Sequence, residues 1–442
     1  MDVLPRKLGL LDATNVVVGT MIGSAIFLVP NIIAQNVPSV PLILSIWILA
    51  GIVSLFGALA YAELGAMMPA TGGQYVYLRE AWGPLWGFLC GWTFFLAARS
   101  GATAAVAAGF SIYFSQFIPM PAIYSRMVAA ALILVLTFVN YRGVRLGAAV
   151  QNTFTALKVI GLVTLIGSTL VSGEQDLSQV PLQPAGISAT NLASAMIACM
   201  WAYNGWFAVS LVAGEIKEPQ RNLPRALIIG TAFVIGVYLL ANIGYLKTLT
   251  VPEIANSTRV AATAADRTLG GIGSAFVALT ILVSTFGTTN GNVMTAPRLY
   301  FAQARDGLFF RSFGGIHPAF KTPHIAILGQ GIMASILALT GSYAQLVSYA
   351  TFTFWIFYGM TVAGLIVLRR KHPEAPRPYR MFGYPATTIL FVVVAAWIVA
   401  AAVISAPRTS AIGLLILAAG VPAYYFWRRN HKKSLGETPV QY

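Results

Sequence analysis

The chain has 442 residues, of which 57% are hydrophobic and only 9% are charged, and its mean hydropathy is +0.74. Soluble domains average about 25% charged residues, so this composition excludes a water-soluble enzyme or binding module. The net charge of +15 is spread over many short polar segments and does not form one basic, aromatic-lined face. We therefore expect membrane lipid, and no nucleic acid, as a partner.

The apolar residues form runs near the length that crosses a hydrocarbon core, which is about 20 helical residues. Strands of a membrane barrel need only about 10 residues of alternating polarity, and these runs do not alternate. We therefore predict an all-α integral membrane protein with twelve transmembrane helices, over 10–35, 40–68, 82–118, 126–141, 148–172, 191–213, 224–249, 271–297, 323–341, 345–368, 383–404 and 409–427.

The distribution of lysine and arginine predicts the orientation, because these residues are retained on the cytoplasmic side of short loops. With the N-terminus inside, most of the 28 basic residues lie in inner segments. The outer segments hold only Arg126, Lys247, Arg259, Arg267 and Arg408. We predict a multi-pass protein of the cell membrane with both termini in the cytoplasm.

Two of the predicted helices are interrupted near their middle. The first carries Gly19, Gly23 and Ser24 in an otherwise apolar run, and the sixth carries Asn204 and Gly205 among bulky aromatic residues. Small residues in one membrane helix also serve close helix packing. A pair of such interruptions at corresponding positions of two five-helix halves, however, indicates a transporter binding site.

Backbone electrostatics indicate what such a site binds, since a broken helix exposes N–H groups on one side and C=O groups on the other. The N–H groups around Ser24, Ala25 and Ile26, next to Met21, are predicted to receive a carboxylate. An ammonium is predicted to bind the main-chain carbonyls of Trp201, Ala202 and Asn204. An α-amino acid presents both groups on one carbon.

Two further features bear on the substrate. All 13 acidic residues lie at span ends, in loops or at the termini, so a cationic side chain would have no partner and a neutral one is favoured. Trp201 is predicted to fold over the substrate as a gate, with ordinary aromatic packing as the alternative.

Lys158 lies about ten residues into the fifth span, between apolar neighbours. A buried ammonium is costly unless it is paired, so we predict that it binds carbonyls freed near Gly19, with Ser284 and Thr288 of the eighth span. It would then occupy the place of a sodium ion, which predicts sodium-independent transport and no metal. Snorkelling of Lys158 to the inner surface, and helix packing by the polar strip around Ser284, are the alternatives.

Three other charged residues are given structural roles. Arg99, in the third span, is predicted to pair with backbone carbonyls, with a gating role as the alternative. Glu63 and Glu215 end the second and sixth spans near the inner face. Each is predicted to form a salt bridge with a loop arginine.

Five motifs together resemble the amino acid-polyamine-organocation superfamily, and within it the L-amino acid transporter branch: Val18–Phe27, Pro69–Tyr75, Trp201–Trp206, Glu218–Pro224 and Ala304–Gly307. The resemblance implies a LeuT-type five-plus-five inverted repeat with helices one and six unwound at mid-membrane. The corresponding division of the chain is 1–172 for the first repeat, 191–370 for the second, 383–428 for two trailing helices and 429–442 for a cytoplasmic tail.

The resemblance also implies alternating access and sodium-independent exchange of small neutral L-amino acids, with the substrate and cation sites at the residues named above. Two positions depart from the common pattern, because Ala25 replaces a usual glycine and Trp201 a frequent phenylalanine. Animal members often bind a heavy chain through a cysteine between spans three and four. This chain has none between Phe117 and Arg126, so no disulfide-linked heavy chain is expected.

Three rival interpretations remain at this point. A proton-coupled symporter of the same fold would use Lys158 as the titrating group. A membrane-embedded enzyme would need an acid–base or metal constellation, and neither HExxH nor G-x-S-x-G occurs in the chain. A channel is disfavoured because no repeated charged ring or filter motif is present. No cofactor is expected.

Overall fold

The computed structural model describes residues 4–177, 187–341 and 343–434. Within these ranges all regular elements are helices, and one isolated bridge pairs Leu8 with Ile216. The last eight residues of the predicted tail, 435–442, lie outside the described residues.

The first half of the chain forms the helices α1 (Leu10–Met21), α2 (Ala25–Asn36), α3 (Val40–Met67), α4 (Gln74–Trp82), α5 (Pro84–Thr93), α6 (Arg99–Phe114), α7 (Ala122–Tyr141) and α8 (Val144–Ser172). A π-helical turn, Phe94–Ala98, joins α5 to α6. The second half forms α9 (Ala189–Ala202), α10 (Ala208–Leu211), α11 (Pro219–Thr248), α12 (Val251–Asn256), α13 (Val260–Leu269), α14 (Gly273–Thr295), α15 (Pro297–Arg305), α16 (His324–Thr340), α17 (Tyr343–Lys371), α18 (Ala386–Ser405) and α19 (Pro407–Ser434).

Nine of the described helical segments are long and apolar enough to cross a membrane, and the bent pair α1–α2 makes a tenth. Two shorter apolar helices, α9 and α16, lie at the sixth and ninth predicted spans. A multi-pass architecture is therefore confirmed. The count of twelve stays a prediction, because α9 and α16 have only 14 and 17 residues.

Several helix boundaries differ from the predicted spans. Helix α11, which forms the seventh predicted span, begins at Pro219 rather than at 224, because proline fits the first turn of a helix, where its missing N–H is not needed. The sixth span ends as a helix at Ala202 rather than at 213. The short helices α4 and α12, which lie between the spans, were not predicted.

Helix α1 lies at the centre of the bundle and packs against α8, α11 and α14, while α2 packs against α9 and α12. Residues Val16 to Met21 of α1 are all buried. The two halves of the first span therefore contact different neighbours, so a break between them lies where several helices meet.

Buried ion pairs join the ends of helices. The Glu215 carboxylate accepts from Arg298 Nε at 2.7 Å, and both side chains are 0% exposed. Glu63 accepts from Arg369 at 2.6 Å and lies 3.5 Å from Arg377. Both glutamates thus form the predicted salt bridges. Arg377 belongs to the loop after α17, as predicted, whereas Arg298 and Arg369 belong to helices α15 and α17.

Replacing Glu215 with glutamine should strongly destabilise the protein, because Arg298 would keep its charge in a fully buried position without a carboxylate. Breaking a buried pair in this way costs about 3–5 kcal/mol. We expect the melting temperature of the purified protein in detergent to fall by several degrees. Glu218→Gln is the matched control, since its contact with Arg221 is exposed and 3.8 Å long. Equal melting of both variants would contradict this account.

Candidate functional site

The first helix break lies at Ile22–Ser24, between α1 and α2, whose axes differ by 41°. Gly23 and Ser24 are poor helix formers, and Ile22 adopts an extended backbone conformation. The N–H groups of Ser24, Ala25 and Ile26 have no hydrogen-bond acceptor among the described residues. They lie at the N-terminus of α2, where the helix dipole favours an anion.

The carbonyl side of this break is covered by side chains from α8 and α14. Lys158, which is 0% exposed, donates to the carbonyl oxygens of Gly19 at 2.9 Å, Ile22 at 2.7 Å and Ser284 at 2.9 Å, and lies 3.1 Å from Thr288 Oγ1. The Ser284 hydroxyl also donates to the Ile22 carbonyl at 2.9 Å. The structure thus brings together the predicted cation-site residues around the ammonium of Lys158.

The second break follows α9, whose last residue is Ala202, and it continues through a turn to Phe207. Gly205 has φ +125°, and a Cβ there would lie 2.6 Å from the carbonyl oxygen of Thr20. The Thr20 hydroxyl lies 3.0 Å from the Gly205 carbonyl oxygen and 2.6 Å from that of Val16 in its own helix. Glycine is therefore required for backbone conformation and for the close approach of the two breaks.

Two tyrosines that sequence reasoning missed also contact the breaks. The Tyr238 hydroxyl lies 2.9 Å from the Met21 carbonyl oxygen and 3.2 Å from that of Ala202, so one hydroxyl bridges both segments. The Tyr358 hydroxyl donates to Asn204 Oδ1 at 2.9 Å. Neither tyrosine belongs to a motif that marks a break, so only the folded arrangement identifies them.

The predicted ammonium acceptors are not equally available. The Trp201 carbonyl accepts the N–H of Asn204 at 3.1 Å, and the Ala202 carbonyl shares the Tyr238 hydroxyl with the nearer Met21 carbonyl. The main-chain carbonyl of Asn204 accepts no hydrogen bond among the described residues. A carbonyl oxygen has two lone pairs, so the first two retain one each, but Asn204 is the least occupied acceptor.

A small cavity of about 50 Å³ lies between the breaks. Five predicted substrate residues line it: Met21, Ser24, Ala25, Trp201 and Asn204. The other two predicted substrate residues, Ile26 and Ala202, do not line this cavity. Both are buried and adjoin lining residues in the sequence. One ordered water requires a cavity volume of about 10–15 Å³, so a cavity of this size suits a small solute.

A larger cavity of about 430 Å³ is lined mainly by apolar residues of α2, α9, α18 and α19. Trp201 and Ala25 line both cavities. Trp201 therefore borders both the small cavity and the larger apolar one.

Arg99, at the start of α6, also lines the small cavity and is 3% exposed. Its Nη2 donates to Thr295 Oγ1 at 2.9 Å, and its guanidinium lies 4.9 Å from the ring centre of Phe207. The predicted pairing of Arg99 with backbone carbonyls is wrong in the described structure. An arginine side chain can reach a neighbouring helix, which the sequence does not specify.

A model of the amino acid permease family matches residues 8–422. Among curated relatives, the b(0,+)-type amino acid transporter 1 of Homo sapiens is 35% identical over 97% of this chain and 89% of its own length. The human cystine/glutamate transporter is 34% identical over 96% of this chain and 85% of its own length. The human large neutral amino acids transporter small subunit 2 is 34% identical over 97% and 82%. The chain therefore belongs to the amino acid permease family of the amino acid-polyamine-organocation superfamily and is an amino acid transporter.

Proposed function

We propose that this protein is a sodium-independent secondary transporter that exchanges small neutral L-amino acids by alternating access. The supporting observation is that two helix breaks meet at one small cavity, with unpaired N–H groups on one side and the open Asn204 carbonyl on the other. These groups complement the carboxylate and the ammonium of an α-amino acid. Alternating access would follow if these two segments, unwound at mid-membrane, move together against a LeuT-type scaffold of two inverted repeats.

Sodium independence is supported by the surroundings of Lys158. Its ammonium contacts three carbonyl oxygens and one hydroxyl, a set of oxygen ligands that would otherwise suit a bare cation. The protein thus supplies its own positive charge, and a sodium ion would be repelled from the same place.

Selectivity for small neutral side chains is supported by the size and lining of the cavity. Its volume of about 50 Å³ leaves little room beyond the amino acid core. No Asp or Glu of the described chain lines it, and Arg99 does, so a cationic side chain would be repelled. The names of the relatives mention neutral amino acids as well as cystine and glutamate, so they do not indicate a single substrate class. The proposal of small neutral substrates therefore rests on the cavity.

Trp201 is proposed as the gate on the side of the larger cavity, because it lines both cavities. The protein would lie in the cell membrane with both termini in the cytoplasm, as the distribution of basic residues indicates. No disulfide-linked heavy chain would be needed, since both cysteines, Cys90 and Cys199, are buried and free.

Proton symport is the second candidate, and the observation that favours it is that Lys158 is a buried titratable group tied directly to the first break. Loss of its proton would weaken the contacts that hold Gly19 and Ile22 to α14. Exchange does not require such a change, so the two mechanisms differ in their need for a pH gradient.

Reconstituted protein should take up labelled alanine into vesicles preloaded with unlabelled alanine, without sodium and without a pH gradient. Empty vesicles should show little accumulation under the same conditions. Replacing sodium by choline should leave the rate unchanged. Sodium-stimulated uptake would contradict the role of Lys158, and accumulation in empty vesicles driven only by an imposed pH gradient would support symport instead.

Lys158→Ala should slow transport by at least about tenfold while changing substrate binding by less than about threefold, because it unties the first break without altering the cavity lining. Exchange rates and binding to purified protein would be compared. Lys247→Ala is the control, since Lys247 also donates to a carbonyl, that of Leu170 at 3.1 Å, but away from the breaks. Unchanged exchange in Lys158→Ala would remove its proposed role.

Ala25→Gly should shift substrate preference toward larger side chains, because it removes a methyl group from both cavities. A methylene in an apolar pocket is worth about 1–3 kcal/mol, so relative inhibition by leucine and alanine should change roughly tenfold. Competition against labelled alanine measures this ratio. Ala396→Gly, at an exposed position of α18, controls for the effect of glycine on a helix. An unaltered ratio would contradict contact between Ala25 and the substrate side chain.

A further inference from the structure

We propose that the C-terminal end of α19 and the loop after α15 form a docking surface for anionic phospholipids of the adjacent leaflet. The residues of this surface, which we call the basic–aromatic patch, are Phe310, Arg311, Phe426, Arg428 and Arg429. None of them lines either of the two cavities beside the helix breaks. Lipid binding at this patch is therefore separate from substrate binding and goes beyond the proposed function.

Helix α19 is longer than one membrane crossing requires. Its 28 residues, Pro407–Ser434, correspond to about 42 Å of helix, while the hydrocarbon core is about 30 Å thick. The part that is apolar enough to cross a membrane ends at Arg429. About two turns of α19 can therefore extend past the core to the level of the lipid headgroups.

One face of this helix end is held against the loop after α15. The Trp427 ring lies 6.0 Å from the ring of Phe309 and 5.2 Å from that of Phe310, measured between ring centres. Arg311 follows Phe310 directly and is exposed. The aromatic contacts thus bring a cation of the loop to the same end of the bundle as the cations of α19.

Aromatic and basic residues make up the other face of this helix end. Phe426 is 60% exposed, and Arg428 and Arg429 are exposed as well. With 3.6 residues per turn, these three residues lie on the side of the helix opposite Trp427. Positions 432 and 433, both lysine, recur on that side one turn later. Aromatic residues at the membrane interface with cations beyond them are typical of a helix end that contacts lipid headgroups.

The protein supplies no carboxylate to neutralise the cations of the patch. Arg311, Arg428 and Arg429 form no ion pair within the described residues. The Arg428 guanidinium lies 6.0 Å from the ring centre of Tyr424, which is a weak contact at an exposed site. The segment 375–436 contains no acidic residue at all.

Other arginines at the ends of helices are neutralised by the chain itself. Arg369 is ion-paired with Glu63 at 2.6 Å. Arg79 is ion-paired with Asp306, which is the acidic residue closest in sequence to Arg311. Topology alone explains why cations are found at these helix ends, but not why those of the patch are left without a carboxylate. A lipid phosphate complements guanidinium groups and is present at this depth of the membrane.

The test is titration of the purified protein, in a neutral detergent, with fluorescently labelled phosphatidylglycerol or phosphatidylcholine. The protein should be half-saturated by phosphatidylglycerol at a concentration at least about tenfold lower than by phosphatidylcholine, because each cation near an anionic headgroup contributes about fivefold in affinity. This preference should weaken at high salt, since exposed charges are screened.

Replacing the three arginines of the patch with glutamine should raise the half-saturating concentration of phosphatidylglycerol by at least about tenfold. Binding of phosphatidylcholine should hardly change, because it carries no net charge. Replacing the same three residues with lysine should preserve the preference, since lysine keeps the charge. All three positions are exposed, so the melting temperature in detergent should stay close to that of the unmodified protein.

The matched control replaces three exposed arginines on the same predicted side of the membrane, Arg6, Arg145 and Arg225, with glutamine. It removes the same charge from other helices and should change phosphatidylglycerol binding by less than about twofold. An equal loss in both glutamine variants would overturn the patch, because overall positive charge would then explain the binding. Equal affinity of the unmodified protein for the two lipids would also overturn it. Displacement of the labelled lipid by a soluble acidic peptide, at a lower concentration than by unlabelled phosphatidylglycerol, would assign the surface to an acidic protein segment instead.

Discussion

The structure depends on how main-chain polar groups are satisfied where the first helix is broken. In an apolar surrounding an unpaired carbonyl or N–H group costs several kcal/mol, roughly as much as a hydrogen bond. Here the carbonyls of Gly19 and Ile22 are covered by Lys158 and Thr288. The N–H groups of Ser24 to Ile26 have no such cover among the described residues. At this break the carbonyl acceptors are therefore occupied, while the N–H donors remain free. Free N–H donors complement an anionic group of a solute.

The second break is held to the first by neutral contacts rather than by charge. The Thr20 hydroxyl lies 3.0 Å from the Gly205 carbonyl oxygen, and the Tyr238 hydroxyl lies within 3.2 Å of the carbonyl oxygens of Met21 and Ala202. These links are few and each involves a single hydroxyl, which suits the movement of the two segments that the proposed alternating access requires. A tightly packed or ion-paired contact at this point would resist such movement. The ion pairs of the described chain are instead found away from the cavity, as between Glu215 and Arg298.

The two buried arginines show how residues of one type take different roles. Arg298 is paired with a carboxylate of its own chain and therefore serves stability. Arg99 donates instead to the neutral hydroxyl of Thr295 and lines the small cavity, and its Nε has no partner among the described residues. Sequence position separates them only weakly, because both lie in otherwise apolar helical surroundings. What distinguishes them is whether another helix brings an acid within reach.

The sequence by itself determined the membrane class, the order of the apolar helices and the positions of both interruptions, because these follow from local composition and from glycine at Gly23 and Gly205. It also indicated that a buried Lys158 must find oxygen partners, since an unpaired ammonium in lipid is too costly. Only the tertiary structure decided which partners are found. Tyr238 and Tyr358 reach the breaks, and Arg99 binds Thr295 rather than carbonyls, because long side chains select partners on neighbouring helices whose rotation and depth no local pattern specifies.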